Sequence, residues 1–223
     1  MRKLLIFTAC LLPLVLFAYN SKKIPKGHSP KKADALALKV MNNMNFPAWQ
    51  NTNLVKWKFF GHEYQWFKNK DSVIVKWKNY EAFVNLDKST GTVLKKGLPT
   101  EDDEELVHKA IKYFNNDSFW LSAHYKMLDP GTSREIVDLD NGKVGLKVFY
   151  SSGGSTPGDT FLWIIEDGKP VAFKMWVSII PIGGMRANWK KWKTTETGAQ
   201  IALSHKFLFF NLKVRDLKTS SRK

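Results

Sequence analysis

The amino-acid sequence predicts an α+β fold in which about eleven short antiparallel strands make up most of one domain, accompanied by two or three helices. Two observations lead to this prediction. Apolar and charged side chains alternate in stretches such as Val55–Phe59 and Val73–Trp77, which is the pattern of a strand with one buried face. Polar turn residues, such as Asn69-Lys70-Asp71, separate these stretches and indicate a meander of short strands.

Helical spacing of apolar residues occurs in two segments. The first is Ala33–Met44. The second follows Thr100, the predicted N-cap, and starts with the acidic run Glu101–Glu105, which favours the positive end of a helix. The predicted buried stripe of this second helix consists of Leu106, Val107, Ala110, Ile111 and Phe114.

Strands are predicted again after Gly131. Asp140-Asn141-Gly142 and Glu166–Lys169 read as hairpin turns. The last predicted strands are Arg186–Thr194, Ile201–Phe210 and Leu212–Leu217. The basic tail 218–223 is expected to fray.

Residues 1–18 are predicted to be a targeting segment, either a cleaved signal peptide or a retained N-terminal anchor. Arg2 and Lys3 precede the uncharged apolar run Leu4–Ala18, which is shorter than the ~20 residues of a spanning helix. Phe7–Cys10 resembles a bacterial lipobox, and the alternative is an ordinary cysteine within the apolar run. We therefore expect an exported protein of the periplasm or cell envelope, tethered to the membrane if the segment is retained.

The chain is strongly basic, with a formal net charge of +15. Such a surface favours anionic partners, and an exported protein meets membranes first. Residues 19–32 are predicted to form a basic tether resting on an anionic membrane, with a solvated linker as the alternative; residues 33–217 form the domain. The lysines assigned to the membrane surface are Lys22, Lys23, Lys26, Lys31 and Lys32.

The sequence contains no recognisable catalytic constellation. His62-Glu63 begins like a zinc-protease motif, but the second histidine is absent. Ser155 lies in a Gly-rich stretch with the wrong spacing for a nucleophile elbow. The five histidines fall on unrelated segments, without metal-ligand spacing. We expect no catalytic residue, no metal site and no cofactor, and an enzyme with an unfamiliar site is the alternative.

The unusual feature of the composition is its nine tryptophans. Phe161–Ile165 and Ile201–Phe210 are apolar on both faces, which indicates either further packing partners or a groove for an apolar ligand. The groove-lining candidates are Trp57, Phe59, Tyr64, Trp66, Trp77, Trp163, Trp176, Phe207 and Phe209. Lysines flank several tryptophans, as in Lys56-Trp57-Lys58, but alternation places the two residue types on opposite faces. This arrangement argues against a platform for single-stranded nucleic acid.

The order of elements, a helix, a meander, a helical insertion and long hairpins, resembles the LolA/LolB-like superfamily of periplasmic lipoprotein carriers and lipid-binding proteins. The chain is also similar to an uncharacterised group of secreted Bacteroidota proteins, through Ser155–Thr160, Phe173–Gly184 and Trp189–Gly198. The resemblance implies an open half-barrel with helices on its concave side, holding acyl chains. It does not imply lipoprotein transport, and no functional residue is carried over from the family.

Three hypotheses follow. The first is a non-enzymatic envelope protein that binds a lipid or lipoprotein acyl chain in an aromatic-lined half-barrel. The second is a structural or interaction module that docks on an anionic membrane or an envelope partner. The third is an enzyme with an unrecognised site.

Overall fold

A computed structural model describes residues 21–140, 142–152, 157–180 and 182–221. The helices of this described part are α1 (Pro30–Asn43), α2 (Phe46–Asn51) and α3 (Asp103–Ser122), with short 3-10 turns at Lys68–Lys70 and Ala123–Tyr125. The signal segment and Cys10 lie outside the described residues, as do Asn141, Ser155 and Thr156. None of the helices in the described ranges is both long enough and apolar enough to cross a bilayer.

Fifteen strands in the described part of the chain form two antiparallel sheets that do not close into a barrel. Sheet one runs in the order β15-β1-β2-β3-β4-β5-β6, and sheet two in the order β12-β13-β11-β10-β9-β8-β7, with β14 paired to β13. The strands of sheet one are β1 (Thr52–Phe59), β2 (His62–Phe67), β3 (Ser72–Trp77), β4 (Tyr80–Asn85), β5 (Thr90–Lys95), β6 (Leu98–Pro99) and β15 (Arg215–Ser221). Those of sheet two are β7 (Thr132–Asp138), β8 (Val144–Tyr150), β9 (Thr160–Glu166), β10 (Lys169–Trp176), β11 (Met185–Asn188), β12 (Lys190–Thr194), β13 (Gln200–Phe207) and β14 (Phe210–Lys213).

The two sheets are joined through one continuous stretch of chain. β14 pairs with β13 of sheet two, and β15 pairs with β1 of sheet one. Val214, between them, donates its backbone N–H to the carbonyl of Leu203 at 3.0 Å. The segment from β14 to β15 therefore links the two sheets, and the predicted open antiparallel α+β architecture is confirmed. The strands exceed the expected number partly because Trp189 and Val214 each interrupt a longer extended segment.

Helix α3 lies between the two sheets and packs on both. Its residue Phe114 lies 6.3 Å from Trp57 of sheet one, measured between ring centroids. Trp120, almost two turns later, lies 5.5 Å from Phe173 of sheet two. The buried residues of both sheets therefore face the same helix, which the alternating pattern of the strands requires.

Two local predictions need correction. Thr100 is not the N-cap of α3; that position is Asp102, and Thr100 donates its backbone N–H to Val93 of β5 instead. The strand predicted as Ile201–Phe210 ends at Phe207, because the chain turns at Leu208.

Two described elements extend past the predicted bounds of residues 33–217. α1 begins at Pro30, so that Lys31 and Lys32 belong to its first turn. The predicted frayed tail is ordered through Ser221, because β15 pairs with β1 along its length. Thr219 strengthens this pairing by donating both its backbone N–H and its hydroxyl to the Glu196 carboxylate, at 2.9 and 3.1 Å.

Residues 21–29 form a strap across the outer face of sheet two. His28 pairs with Ile136 of β7, the carbonyl of Pro25 accepts a hydrogen bond from Lys147 Nζ at 3.1 Å, and the backbone N–H of Lys22 donates to Gly183. Trp176 Nε1 donates to the Lys22 carbonyl at 2.6 Å. The segment predicted to be a basic tether is therefore bound to the domain from Ser21 onward.

Candidate functional site

The two ends of the half-barrel differ. At one end the corner between α1 and α2 covers the space between the sheets. Asn43 donates to the Gly168 carbonyl in the β9–β10 turn, and Asn45 donates to Gly198 in the β12–β13 loop, at 3.1 and 3.0 Å. This is the closed end. The opposite end, where the β1–β2, β10–β11 and β13–β14 connections lie, has no comparable cover among the described residues and is called the open end.

A cavity of about 520 Å³ lies at the open end, between α3 and the two sheets. This volume is within the range of small-molecule sites, roughly 300–1,000 Å³. Most of the lining is apolar. Sheet one contributes Phe59 and Trp66, and sheet two contributes Phe161, Phe173, Met175 and Phe207.

Small side chains on the side of α3 that faces the cavity explain why the cavity is not filled. Phe114, Phe119 and Trp120 line the cavity, but Ser118 and Ser122 leave volume between them. Each serine hydroxyl donates to a helix carbonyl one turn back, Ser118 to Asn115 at 3.4 Å and Ser122 to Ser118 at 2.9 Å. The hydroxyls are therefore satisfied without a ligand, and the small side chains keep the floor of the cavity open.

One part of the lining is polar. Lys126 and Asp129 form an ion pair with Nζ and Oδ2 2.5 Å apart, and both line the cavity. The Tyr150 hydroxyl lies 3.5 Å from the Lys126 carbonyl, at the limit of hydrogen bonding. Burial raises the pKa of Tyr150 above its ordinary value, so this hydroxyl stays protonated and available as a donor.

Lys68 supports the wall of the cavity behind Trp66. Its ammonium group lies 4.0 Å from the ring centroid of Trp49 and 5.8 Å from that of Trp66. Burial, and to a smaller extent the charge of Lys126, lower the pKa of Lys68 to about 8. The two rings compensate part of the lost hydration by cation–π attraction.

The structure places three of the predicted groove residues at this cavity: Phe59, Trp66 and Phe207. Four other candidates are core residues, because their side chains point between the sheets and are surrounded there by other buried side chains. These are Trp57, Tyr64, Trp77 and Trp163, each at most 4% exposed. Their assignment to a groove is therefore corrected.

The last two groove candidates lie elsewhere. Trp176 is on the outer face of sheet two, where it binds the strap. Phe209 is 82% exposed at the β13–β14 turn, since the chain reverses just before it. The two-sided apolarity of Phe161–Ile165 also has a structural explanation: Phe161 and Trp163 face the core, while Leu162 and Ile164 pack in a separate outer cluster with Ala172.

The sequence interpretation missed the contribution of α3 and of the inner face of β10. Phe114, Phe119 and Trp120 line the cavity, with Phe173 and Met175 opposite. A usable signal was present, namely the serines Ser118 and Ser122 beside large aromatic residues, in the stretch that follows the predicted buried stripe.

The five lysines assigned to the membrane surface divide into two groups. Lys22, Lys23 and Lys26 are exposed on the strap, and Lys31 and Lys32 are exposed at the start of α1. The predicted separation of lysines and tryptophans is seen in β1, where Trp57 is buried and Lys58 is exposed. No family model and no curated protein matches this sequence.

Proposed function

We propose that this chain is a non-enzymatic cell-envelope protein that binds a lipid or lipoprotein acyl chain in the cavity at the open end. The observation that supports the proposal is a cavity of about 520 Å³ with aromatic and aliphatic walls. Burying an acyl chain gains ~0.8 kcal/mol per methylene. A dozen methylenes give roughly 10 kcal/mol before the cost of immobilising the ligand is subtracted.

The polar part of the lining suggests how the ligand is oriented. The Lys126–Asp129 pair and the Tyr150 hydroxyl offer donors and an acceptor to a polar head group. The apolar chain would then extend along α3 past Ser118 towards Phe207. Such a site selects an amphiphilic ligand by its polar head group and by the length of its apolar chain. Binding of this kind requires no covalent chemistry.

Cavity-filling substitutions test this proposal. Ser118→Leu places a larger side chain in the cavity, and leucine favours a helix more than serine does. We expect the variant to fold with an unchanged or higher Tm and to lose at least tenfold in affinity for a fluorescent fatty acid. Ser133→Leu is the matched control, because Ser133 is exposed on β7 away from the cavity.

The decisive measurements are fatty-acid titration of delipidated protein and native mass spectrometry of protein purified from its own envelope. The proposal predicts a co-purified lipid that Ser118→Leu lacks and Ser133→Leu retains. Protein that carries no lipid and also ignores the fatty acid would contradict it. Turnover of the bound lipid by the purified protein would instead favour an enzyme.

A further inference from the structure

Exposed apolar side chains from separate connections are concentrated at the open end. Phe60 in the β1–β2 turn is 67% exposed, Ile179 in the β10–β11 connection is 71% exposed, and Phe209 in the β13–β14 turn is 82% exposed. Phe60 and Ile179 also line the cavity. These side chains therefore form an apolar rim around the cavity opening, and the half-exposed pair Leu208 and Phe210 extends it.

Two residues of the rim have a backbone conformation that disfavours them. Phe60 has φ 50° and Leu208 has φ 52°, in the left-handed region that glycine and asparagine occupy most easily. Polar turn residues would suit both positions better. A large apolar side chain kept in a strained and exposed turn favours a role in binding over a role in folding.

Basic residues accompany the apolar rim at the open end. Lys78 and Lys96 lie in open-end turns, and Lys206 lies next to the last residue of β13. Within the described residues none of the three takes part in an ion pair. Two acidic residues near this end are paired with lysines: Glu63 with Lys58 at 3.0 Å and Asp129 with Lys126 at 2.5 Å.

The turns at the opposite ends of these strands carry acidic residues together with lysines, namely Lys68, Lys70, Lys88 and Lys169. Asp71 lies after β2, Asp87 after β4 and Asp167 after β9. Lysines without an ion-pair partner among the described residues therefore lie beside the apolar rim, whereas the far-end turns have mixed charge. An anionic lipid bilayer is complementary to this end of the molecule, because it has negatively charged head groups over an apolar interior.

The N-terminal chain leaves the domain at the same end. The strap runs from β7 to the β10–β11 connection, where the Ser21 hydroxyl accepts a hydrogen bond from the Gly183 backbone N–H at 2.8 Å. The apolar stretch Leu4–Ala18 precedes this point in the sequence. An anchor formed by it would be attached beside the rim.

We propose that the open end is a membrane-docking surface, with Phe60, Ile179 and the Leu208–Phe210 turn inserted among the head groups of an anionic bilayer. In this orientation the cavity faces the acyl chains, so a lipid can pass between bilayer and cavity without crossing water. The proposed docking is inferred from the residues of the rim alone, whereas the proposed lipid exchange depends on the proposed function.

The test uses Leu208→Asn/Phe209→Ser, because neither residue lines the cavity and asparagine suits the φ of Leu208. We expect an unchanged or higher Tm, unchanged fatty-acid affinity in solution, and a loss of roughly tenfold or more in affinity for vesicles of phosphatidylcholine and phosphatidylglycerol, from the lost apolar insertion. The matched control is Leu38→Gln/Phe83→Thr, since both residues are exposed apolar side chains away from the rim. The control should bind vesicles like the unaltered protein.

A dye attached at Phe209→Cys, in a Cys10→Ser background, reports insertion even where the N-terminal segment anchors the chain. Its emission should shift to the blue on anionic vesicles, with no shift for a dye at Ser133→Cys. An unshifted dye at position 209, or equal vesicle affinity of rim variant and control, would overturn the docking. If the protein binds fatty acid but does not dock on vesicles, the docking proposal fails and the proposed function stands. If it docks on vesicles but does not bind fatty acid, only the proposed function fails.

Discussion

Tyr64 of β2 donates its hydroxyl to the carboxylate of Asp117 on α3, with the two oxygen atoms 2.6 Å apart. Asp117 is 2% exposed and also binds His62 Nδ1 at 2.8 Å and Asn116 Nδ2 at 2.8 Å. Burial, and then the negative charge of Asp117, raise the pKa of Tyr64 far above its ordinary value. This cluster holds α3 against sheet one and thereby fixes one wall of the cavity.

Replacing Asp117 by alanine should therefore destabilise the protein strongly. The change leaves the buried Tyr64 hydroxyl without its acceptor, and we expect a loss of about 3 kcal/mol in the free energy of unfolding. Tyr64→Phe should cost about 1–2 kcal/mol, because the carboxylate keeps its other donors. Urea unfolding of both variants and of the double variant gives the coupling energy, and additive losses would show that the pair does not act as a unit.

His124 and His205 should make the fold sensitive to acid. Burial lowers the pKa of His124 to about 3 and that of His205 to about 4, so both are neutral when folded. The unfolded chain binds these protons near pH 6.5. The folded state consequently loses up to ~1.4 kcal/mol per pH unit for each histidine as the pH falls below about 6.5, and gains nothing above it.

The variant His205→Phe isolates one of these contributions. Between pH 6 and pH 4.5 we expect the unfolding free energy of the variant to fall less steeply than that of the unaltered protein. The difference in slope should be about 1.4 kcal/mol per pH unit, which corresponds to one proton. Denaturant titrations at fixed pH values measure the difference. Parallel curves for the two proteins would mean that His205 does not stay neutral in the fold.

The C-terminal residues after Leu217 should be needed for stability. Truncation there removes the part of β15 that pairs with Val55 and Lys56 of β1, together with the Thr219 bonds to Glu196. We expect a loss of about 2–4 kcal/mol, from a few ladder and side-chain hydrogen bonds. A chain ending at Ser221 serves as the control and should unfold like the full chain; equal Tm values for both truncations would contradict the role of this strand end.

The strap should detach when Gly183 acquires a side chain. A Cβ atom built at Gly183 lies 2.3 Å from Trp176 Cδ1 and 2.6 Å from the Lys22 carbonyl oxygen, and such contacts are not tolerated. We expect Gly183→Val to raise hydrogen exchange in residues 22–26 while leaving the exchange of α3 unchanged. Trp176→Phe removes the indole donor to Lys22 and keeps a smaller aromatic ring, so it should give a smaller change of the same kind. Full protection in both variants would show that other contacts hold the strap.

Much of the fold follows from local pattern. The alternation in Val55–Phe59 places Trp57 inside and Lys58 outside, and it does so in the structure because successive strand residues point to opposite faces. The stripe of apolar residues through Phe114 likewise gives a buried helix. The predicted half-barrel is confirmed at this level. The sequence alone thus determines the type of most elements and the buried face of each, although not where every element ends.

The tertiary structure decides which buried aromatic residues surround empty space. Trp57 and Phe59 lie on the same face of the same strand, yet only Phe59 reaches the cavity. Phe114 of α3 lies 6.3 Å from Trp57, measured between ring centroids, whereas Phe59 lines the cavity together with the small Ser118. Which strand residues meet a large side chain of α3 depends on where the helix crosses the sheets. Core and cavity use the same residue types, because both exclude water from apolar surface, so no pattern along the chain separates them.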